Sequence, residues 1–400
     1  MLRRRVNAFG NLAPPAICAM GIALGLAPAA HAESPDRADP FGPQLRWYPV
    51  LEIRGRLEAE GTPMPDTRTV GQVARVGIEA DRGILSARVS LQEVRAWTGD
   101  KDGLAISGSF VPELAEGWAR LDGELSSSVG GRLTIGRQPI EIDEGRLVGR
   151  RDWQLDGQFL DAIRFELLAA PLTFEVVNAR RFQPDPDDPG ADPFSLGVTV
   201  LRLGVGREGG AVEGKLDLLS VVDARNTAVV TSTTGFYGTL SAGRSLGTAE
   251  CYFQQNAAGN GSLLSGEVGW VIGQRRAWVV QASYTAASGD HGGLAPFQPV
   301  LGDEHDQYGL LDVMQPGDDS RGLSDLAVKA ELQASARLAA RVAAHRLAPP
   351  VGAATYGYEG DLSLVWHITP YAEVTLGSGV IGAGELGLRA GAYAEIGVEF

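Results

Sequence analysis

The last fourteen residues of the chain, 387–400, alternate between apolar side chains and side chains that are mostly small, polar or charged. The apolar set is Leu388, Ala390, Ala392, Ala394, Ile396, Val398 and Phe400. A period of two indicates a β-strand with two different faces, because successive side chains of a strand point to opposite sides. Strands of soluble sheets typically hold about 5–6 residues. A strand of fourteen residues is longer than the sheets of soluble proteins usually need, and it therefore predicts a sheet that spans a thicker layer.

Similar alternating runs fill most of the chain upstream of this segment. We predict eighteen strands, at 47–59, 70–80, 84–96, 115–126, 131–141, 159–169, 171–182, 196–207, 210–222, 227–238, 242–256, 262–273, 276–288, 322–333, 336–347, 355–368, 370–384 and 386–400. Strands of about 9–11 residues, tilted by about 45°, cross the hydrocarbon core of a bilayer. Long connections on one side and short turns on the other are typical of transmembrane barrels. The predicted fold is therefore an all-β transmembrane antiparallel β-barrel of about eighteen strands, with sixteen as the alternative, over 47–400.

The N-terminal segment is typical of export. Arg3, Arg4 and Arg5 precede an apolar run over 17–30, and Ala30-His31-Ala32 fits a small-residue cleavage site. We predict a signal peptide over 1–32 and a periplasmic leader over 33–46. An exported barrel is expected in the outer membrane of a Gram-negative bacterium, in contact with its lipid.

Composition and motifs exclude several classes of function. The formal net charge is −14, which argues against a nucleic-acid partner. Cys251 alone remains after removal of the signal, so no disulfide framework is expected. No Ser/His/Asp arrangement, phosphate loop or zinc-ligand spacing is apparent. We therefore predict a protein that is not an enzyme and has no cofactor or metal.

Charged side chains alternate with the apolar ones inside the predicted strands. An outward charge at the bilayer midplane would cost about 2–4 kcal/mol, so these charges are expected to face the lumen. The cations with inward parity are Arg54, Arg56, Arg75, Arg88, Arg120, Arg164, Arg202, Lys215, Arg341 and Arg389. Guanidinium groups present forked donors to carboxylates, and rings of Arg or Lys are typical of anion-selective pores. Inward acids share this parity and neutralise part of the field.

Two blocks carry a family resemblance. They comprise Gly136-Arg137-Gln138, Gly145-Arg146-Leu147-Val148-Gly149, Asp152-Trp153, Phe159, Asp161 and Arg164, followed by Ser288-Gly289-Asp290, Pro296-Phe297 and 303–309. With these motifs the chain resembles the alginate-export family of outer-membrane barrels. The resemblance implies passive transport of an anionic saccharide, with export of an alginate-type polyuronate as the expected activity. It also implies that the barrel works alongside periplasmic export machinery. Because several predicted outer loops are short, we expect the long lumen-plugging loop of some members to be reduced or absent.

The candidate site combines the parity argument with these motifs. The predicted pore-lining, substrate-binding residues are Arg75, Arg88, Arg120, Arg137, Arg146, Arg150, Arg151, Arg164, Arg341 and Arg389. Their predicted salt-bridge partners are Glu79, Asp143, Glu144, Asp152 and Asp161. Arg137 shares parity with lipid-facing Leu133 and Ile135. A bulge at Gly136 would turn it inward, and a position at the strand end would also accommodate it.

Three alternatives stay open at this point. The first is a general small-solute porin with little charge selectivity, in which inward acids and bases cancel. The second is an outer-membrane enzyme or Ca²⁺-binding barrel that uses the acidic segment 289–321. The third is a secreted β-protein that never enters a membrane. The expected partners are an anionic polysaccharide or small anionic solute, and the expected state is a monomer.

Overall fold

The computed structural model describes residues 44–61, 65–100, 103–107, 111–180, 197–207, 211–226, 229–273, 277–303, 305 and 307–400. The predicted signal peptide and nearly all of the predicted leader lie outside these residues. Within them the chain is almost entirely strand, with one 3-10 turn at Asp143–Gly145. None of the helical structure described is long and apolar enough to cross a membrane.

The described strands are numbered in chain order. They are β1 (Arg46–Gly61), β2 (Pro65–Arg82), β3 (Leu85–Asp100), β4 (Gly103–Ser107), β5 (Glu113–Ser126), β6 (Val129–Gln138), β7 (Leu160–Ala169), β8 (Leu172–Arg180), β9 (Val198–Arg207), β10 (Val212–Asn226), β11 (Val229–Ala242), β12 (Ser245–Asn256), β13 (Gly259–Ile272), β14 (Trp278–Ala287), β15 (Leu323–Ser335), β16 (Leu338–Ala348), β17 (Gly357–Thr369), β18 (Ala372–Gly382) and β19 (Arg389–Glu399).

These strands form one closed antiparallel barrel. Each strand pairs with its sequence neighbour, and β19 pairs with β1, with Gly61 opposite Ala390 and Glu52 opposite Glu399. The short β4 and the long β5 both pair with β3, at different ends of that strand. They therefore occupy one place in the wall, and the barrel has eighteen strands. The predicted fold class and strand number are confirmed.

The outer face of the barrel is apolar over a broad band. Large exposed side chains on it include Val76, Val89, Leu201, Leu218, Leu264, Val328 and Leu376. A soluble protein does not expose so much contiguous apolar surface, whereas a bilayer-spanning barrel requires it. Inward positions of the same strands carry the charged residues, as the parity argument predicts.

The polarity of the two faces reverses near the ends of the strands that carry the long loops. On β8, Phe174 faces outward and Glu175 is buried inside. Two turns of the pleat further on, Val177 and Ala179 are the buried inward residues, while exposed Asn178 donates a hydrogen bond to Thr199 at 2.9 Å. The reason is a change of surroundings. Near this end of β8 the inward face packs against protein loops, and the outward face no longer contacts lipid.

Two predicted outer connections, 60–69 and 97–114, are wrong as loops. β1 extends to Gly61 and β2 begins at Pro65, and β3 continues to Asp100. The described parts of these segments pair as strands, with Glu60 opposite Thr67 and Thr98 opposite both Thr69 and Ala105. Residues 62–64, 101–102 and 108–110 lie outside the described chain.

The expectation that a lumen-plugging loop is reduced or absent is also wrong. Residues 139–159, between β6 and β7, and residues 288–322, between β14 and β15, both fold into the barrel. We call them the first and second inner loops. They contact strands on opposite sides of the lumen, so they determine the shape of the pore.

Candidate functional site

The first inner loop is drawn into the barrel by apolar residues. Ile140, Ile142, Leu147 and Val148 are each at most 2% exposed. They pack on inward apolar side chains of the wall, namely Leu160, Ala162, Val177, Ala179, Val198, Val200, Leu219, Val221, Tyr237, Tyr252 and Leu263. Burial of apolar surface stabilises by about 25 cal/mol per Å². An apolar sector of wall that faces a water-filled lumen would be unfavourable, and the loop covers it.

The tip of this loop is strained and held by polar contacts. Asp143 and Glu144 adopt positive φ angles of 43° and 54°, which non-glycine residues rarely do. Lys215 Nζ donates to Asp143 at 2.9 Å, and the Tyr237 hydroxyl donates to Glu144 at 2.6 Å. Such strain persists only where the surroundings over-determine the conformation. The tip is therefore fixed against β10 and β11.

Arg146 provides the strongest contact of the tip. Its Nε donates to both carboxylate oxygens of Glu250, at 3.1 and 2.9 Å, and its NH1 donates to the Tyr308 hydroxyl at 2.7 Å. The Glu250 side chain is 3% exposed. A buried carboxylate needs such a partner, because removal of one member leaves an uncompensated charge. Arg146 therefore joins the first inner loop to β12 and to the second inner loop.

The other end of the first inner loop is attached to β1. Arg54 donates to the backbone carbonyl of Asp152 at 2.5 Å, and Arg56 donates to that of Trp153 at 2.6 Å. The Trp153 ring lies between the Arg56 guanidinium, 3.9 Å from its centroid, and the parallel His305 ring at 3.6 Å. Inward arginines of β1 thus bind the loop backbone, and their donors are occupied there.

The two inner loops form one connected body. Gly149 N donates to Leu301 O at 3.0 Å, and Arg151 Nε donates to Gly302 O at 3.0 Å. Asp152 N donates to Asp303 at 3.1 Å. Both loops therefore move or stay together.

Leucine side chains of both loops sit on glycines of the wall. Leu155 lies against Gly71 of β2, and Leu311 lies against Gly379 of β18 and Gly391 of β19. The Leu311 N–H also donates to Glu359 at 2.9 Å. A side chain at any of these glycines would overlap the leucine, so the glycines provide the space in which the loops dock.

A chain of alternating charges runs across the inward wall from β5 to β10, on the side of the short turns, and ends at the loop tip. We call it the charge ladder; it comprises Arg120, Asp122, Arg132, Glu166, Arg164, Glu175, Arg202, Asp217, Lys215 and Asp143. Neighbours in this list are ion-paired at up to 3.6 Å.

From Glu166 to Asp143 the cations of the ladder are more exposed than the carboxylates that they pair with. At the other end Asp122 is 38% exposed, as much as Arg132 and more than Arg120 at 30%. The side chains of Arg132 and Lys215 are each 38% exposed, whereas those of Glu175 and Asp217 are 4% and 0% exposed. Glu166, Glu175, Asp217 and Asp143 therefore lie behind their cations, against the wall. On this part of the ladder a solute in the lumen meets guanidinium and ammonium groups first, whereas Asp122 also faces water.

The predicted site residues lie in four places: on or near the charge ladder, elsewhere on the wall, in or against the inner loops, and at the strand ends of β6 and β7. Arg120 and Arg164 belong to the ladder, and Arg88 lies nearby, 3.3 Å from Glu116 and 3.6 Å from its predicted partner Glu79. Arg341 is 3.8 Å from Glu331 on another part of the wall. Arg389 begins β19 opposite Ile381.

The remaining predicted residues belong to the inner loops or contact them. Arg75 is 6% exposed, pairs with Glu52 and lies 4.8 Å from the Phe159 ring. Arg146 and Arg151 join the loops, as described above, together with Asp143, Glu144 and Asp152. Arg150 is 3.4 Å from Asp152 and is 44% exposed.

Arg137 does not turn into the lumen at a bulge. The register of β6 with both neighbours continues through Arg137, and Gly136 has a positive φ of 117° without an inserted residue. Arg137 keeps the parity of exposed Ile135 and binds Asp161 through two nitrogens, at 3.0 and 2.9 Å. Both residues lie near strand ends, so the second explanation offered for Arg137, a position at the end of its strand, applies here. Arg137 also lines a small cavity together with Gln92 of the wall and Arg151 and Gln158 of the first inner loop, so its contact with a solute stays a prediction.

Several important residues were missed from the sequence. Arg132 shares the parity of inward Thr134, opposite to that of Leu133, and could have been identified by parity. Leu155, Leu311 and their glycine contacts carry no such signal, because a glycine in a strand gives no indication of which distant side chain it receives.

The loop tip gives a pH-dependent prediction. Burial raises the pKa of Asp143 to about 7, with a further upward contribution from Asp217 and an opposing one from Lys215. When the tip is undocked, an aspartate titrates near 4. The docked state therefore binds the proton more tightly, gains stability as pH falls from about 7 toward 4, and loses it as pH rises.

We expect single-channel current noise from tip motion to be lower at pH 6 than at pH 8. Asp143→Asn should abolish this difference, because the amide does not titrate in this range. Equal pH dependence in Asp143→Asn would assign the effect to another group.

Among the residues that the structure describes, no group of three or more His, Cys, Asp or Glu side chains is arranged to hold a metal ion. Glu304 and Asp306 of the acidic segment 289–321 lie outside those residues. The Ca²⁺-binding alternative accordingly gains no support from the described part of this segment.

Comparison with known proteins gives a match in fold. No family model matches the chain. No curated protein matches it. Solved structures of outer-membrane proteins do match across nearly their whole length, so the class defined by the fold is the eighteen-stranded outer-membrane β-barrel.

The similar structures come from Pseudomonas aeruginosa. The outer-membrane protein OpdK has a TM-score of 0.61 at 11% identity, over 89% of this chain and 98% of that chain. OpdK with vanillate gives 0.60 at 11% identity, over 88% and 98%. OccK5 (OpdH) gives 0.58 at 10% identity, over 88% and 98%. At these identities the similarity establishes the fold alone.

The closed barrel and its apolar outer band place the chain in the outer membrane of a Gram-negative bacterium. The same comparisons do not support the narrower resemblance to the alginate-export family.

Proposed function

We propose that this protein is a passive outer-membrane pore for small anionic solutes that carry a carboxylate. The observation that carries this proposal is the part of the charge ladder from Glu166 to Asp143, in which each cation is more exposed than the carboxylates that it pairs with. Pores need sites that attract the solute yet release it, and a row of weak, similar sites meets that requirement.

The ladder suits carboxylates in particular. Arg132, Arg164 and Arg202 present planar forks that match the two oxygens of a carboxylate. Each guanidinium already shares its donors with wall acids, so an added carboxylate is bound weakly and can pass from one cation to the next. OpdK, which has a similar fold, was crystallised with vanillate, an aromatic carboxylate.

The inner loops favour small solutes over a polymer. They pack on each other and on the apolar wall through residues that are almost fully buried, such as Leu147 and Leu301. A polyuronate chain would have to displace this body, whereas a monomeric uronic acid or a monocarboxylate would pass beside it. Export of an alginate-type polymer is therefore the weaker candidate.

The test is the reversal potential of the purified barrel in a planar bilayer under a KCl gradient. We expect anion selectivity that falls in the triple variant Arg164→Gln, Glu175→Gln, Arg202→Gln. This variant removes two cations together with the buried acid between them, so it leaves no Glu175 charge unpaired. The matched control is Arg95→Gln with Glu93→Gln, an ion pair on the outward face of β3.

The control should leave the reversal potential unchanged. Cation selectivity of the unmodified barrel, or equal selectivity of the triple variant and the control, would contradict the proposal. A general porin would then be the better description.

A further inference from the structure

A cavity of about 490 Å³ lies between the two inner loops and the residues around them. Its volume falls within the range of about 300–1,000 Å³ that is usual for small-molecule sites. Its lining is Arg151, Trp153, Gln154, Gln298, Pro299, Gly302, Asp303, His305, Asp312, Gln315, Pro316 and Gly317. The charge ladder contributes no residue to it.

The polar side chains of this cavity have unused hydrogen-bonding capacity. Gln154, Gln298 and Gln315 make hydrogen bonds through their backbone, and within the described chain their side-chain amides have no protein partner. Among the described residues Arg151 donates from Nε to Gly302, and its two terminal nitrogens make no hydrogen bond to them. Three amides and one guanidinium therefore line the same space with free donors and acceptors.

Two carboxylates complete the lining, and each is hydrogen-bonded within the protein. Asp312 Oδ2 is 2.5 Å from His305 Nδ1, and Asp303 Oδ2 accepts from Asp152 N at 3.1 Å. Asp303 and Asp312 oppose the single full charge of Arg151, so the cavity does not select anions as the ladder does.

The chemistry of the ligand follows from this mixture. A carboxylate accepts only, a guanidinium donates only, and an amide does both. A hydroxyl group also both donates and accepts, so a molecule with several hydroxyls can satisfy all three kinds of group. A flat aromatic acid would leave Asp303 and Asp312 facing an anion.

We propose that this cavity is a recognition site for a polyhydroxylated solute of monosaccharide size. Combined with the ladder, it defines the transported class as acidic monosaccharides: the cavity binds the hydroxyls, and the ladder attracts the carboxylate. The carboxylate half of this assignment rests on the proposed function, whereas the hydroxyl half does not.

Isothermal titration of the detergent-purified barrel tests the site with three probes. Glucose carries hydroxyls alone, benzoate carries a carboxylate alone, and glucuronate carries both. The test variant is Gln154→Leu, Gln298→Leu, Gln315→Leu, which removes amides that hold no part of the protein. The control is Gln255→Leu, an exposed glutamine on the outward side of β12. Heat-modifiable migration on gels verifies that each variant is folded.

We expect saturable glucose and glucuronate binding that weakens about tenfold or more in the triple variant, because it removes three side chains that can hydrogen-bond to the hydroxyls. Benzoate binding and the control should be unchanged. Absence of saturable glucose binding, or equal affinity in the triple variant, would overturn the site even if the barrel is anion-selective. If the unmodified barrel binds glucose but is not anion-selective, that result would contradict the proposed function alone.

Discussion

Arg146→Met should open the pore. The substitution leaves Glu250, 3% exposed, without its cation, and removal of one member of a buried ion pair costs about 3–5 kcal/mol. The barrel wall holds Glu250 through strand pairing, so this cost falls mainly on the docked state of the first inner loop. The strained conformations of Asp143 and Glu144 add to the tendency of the tip to leave.

The expected result is a larger and noisier single-channel conductance, since an undocked loop no longer occupies the lumen. Glu250→Gln should have a similar but smaller effect, because the amide still offers an oxygen to Arg146. The double variant Arg146→Met, Glu250→Leu should recover much of the quiet, low-conductance state, since apolar replacements of a buried pair are often neutral.

Arg150→Met is the matched control for this experiment. Arg150 lies in the same loop, but it is 44% exposed and its pair with Asp152 is a surface pair, which is worth about 0–1 kcal/mol. Its conductance should match that of the unmodified protein. A quiet, unchanged channel in Arg146→Met would show that the buried pair does not hold the loop.

Gly391→Val should release the second inner loop. A Cβ at this position would lie 2.7 Å from Leu311 Cδ2, and a Cβ at Gly379 would lie 2.7 Å from Asp361 Oδ1 and 2.9 Å from Leu311 Cγ. Overpacking of this kind costs about 1–3 kcal/mol. We expect either valine variant to displace Leu311 and to raise the frequency of current transitions.

Gly360→Val provides the control, because it adds the same side chain to neighbouring β17 where no atom lies within 4 Å of the added Cβ. Leu311→Ala in the Gly391→Val background should restore the quiet channel by making room for the valine. Failure of this rescue, with Gly360→Val also noisy, would indicate a general effect of valine on the barrel and not a docking site for Leu311.

The strands and their faces were predictable because the signal is local. Each of the eighteen predicted runs overlaps a strand of the barrel. The inward parity of Arg88, Arg120 and Arg164 follows from the residues next to them in the sequence. Localisation followed from the same pattern, since an apolar outer face of that height suits only a bilayer. The reversal of polarity near Val177 was not predicted, because parity alone does not show where the lipid ends.

The roles of the arginines depended on contacts that no local pattern contains. Arg54 meets the carbonyl of a residue 98 positions away, and Arg146 meets a carboxylate 104 positions away. Whether an inward arginine anchors a loop or faces water is decided by the loops that enter the lumen. The sequence by itself determined a membrane barrel with a charged interior, because alternation fixes which side of a strand each residue occupies. Only the tertiary structure decided the shape of the pore and which cations a solute meets, because these depend on how two distant loops pack together inside that wall.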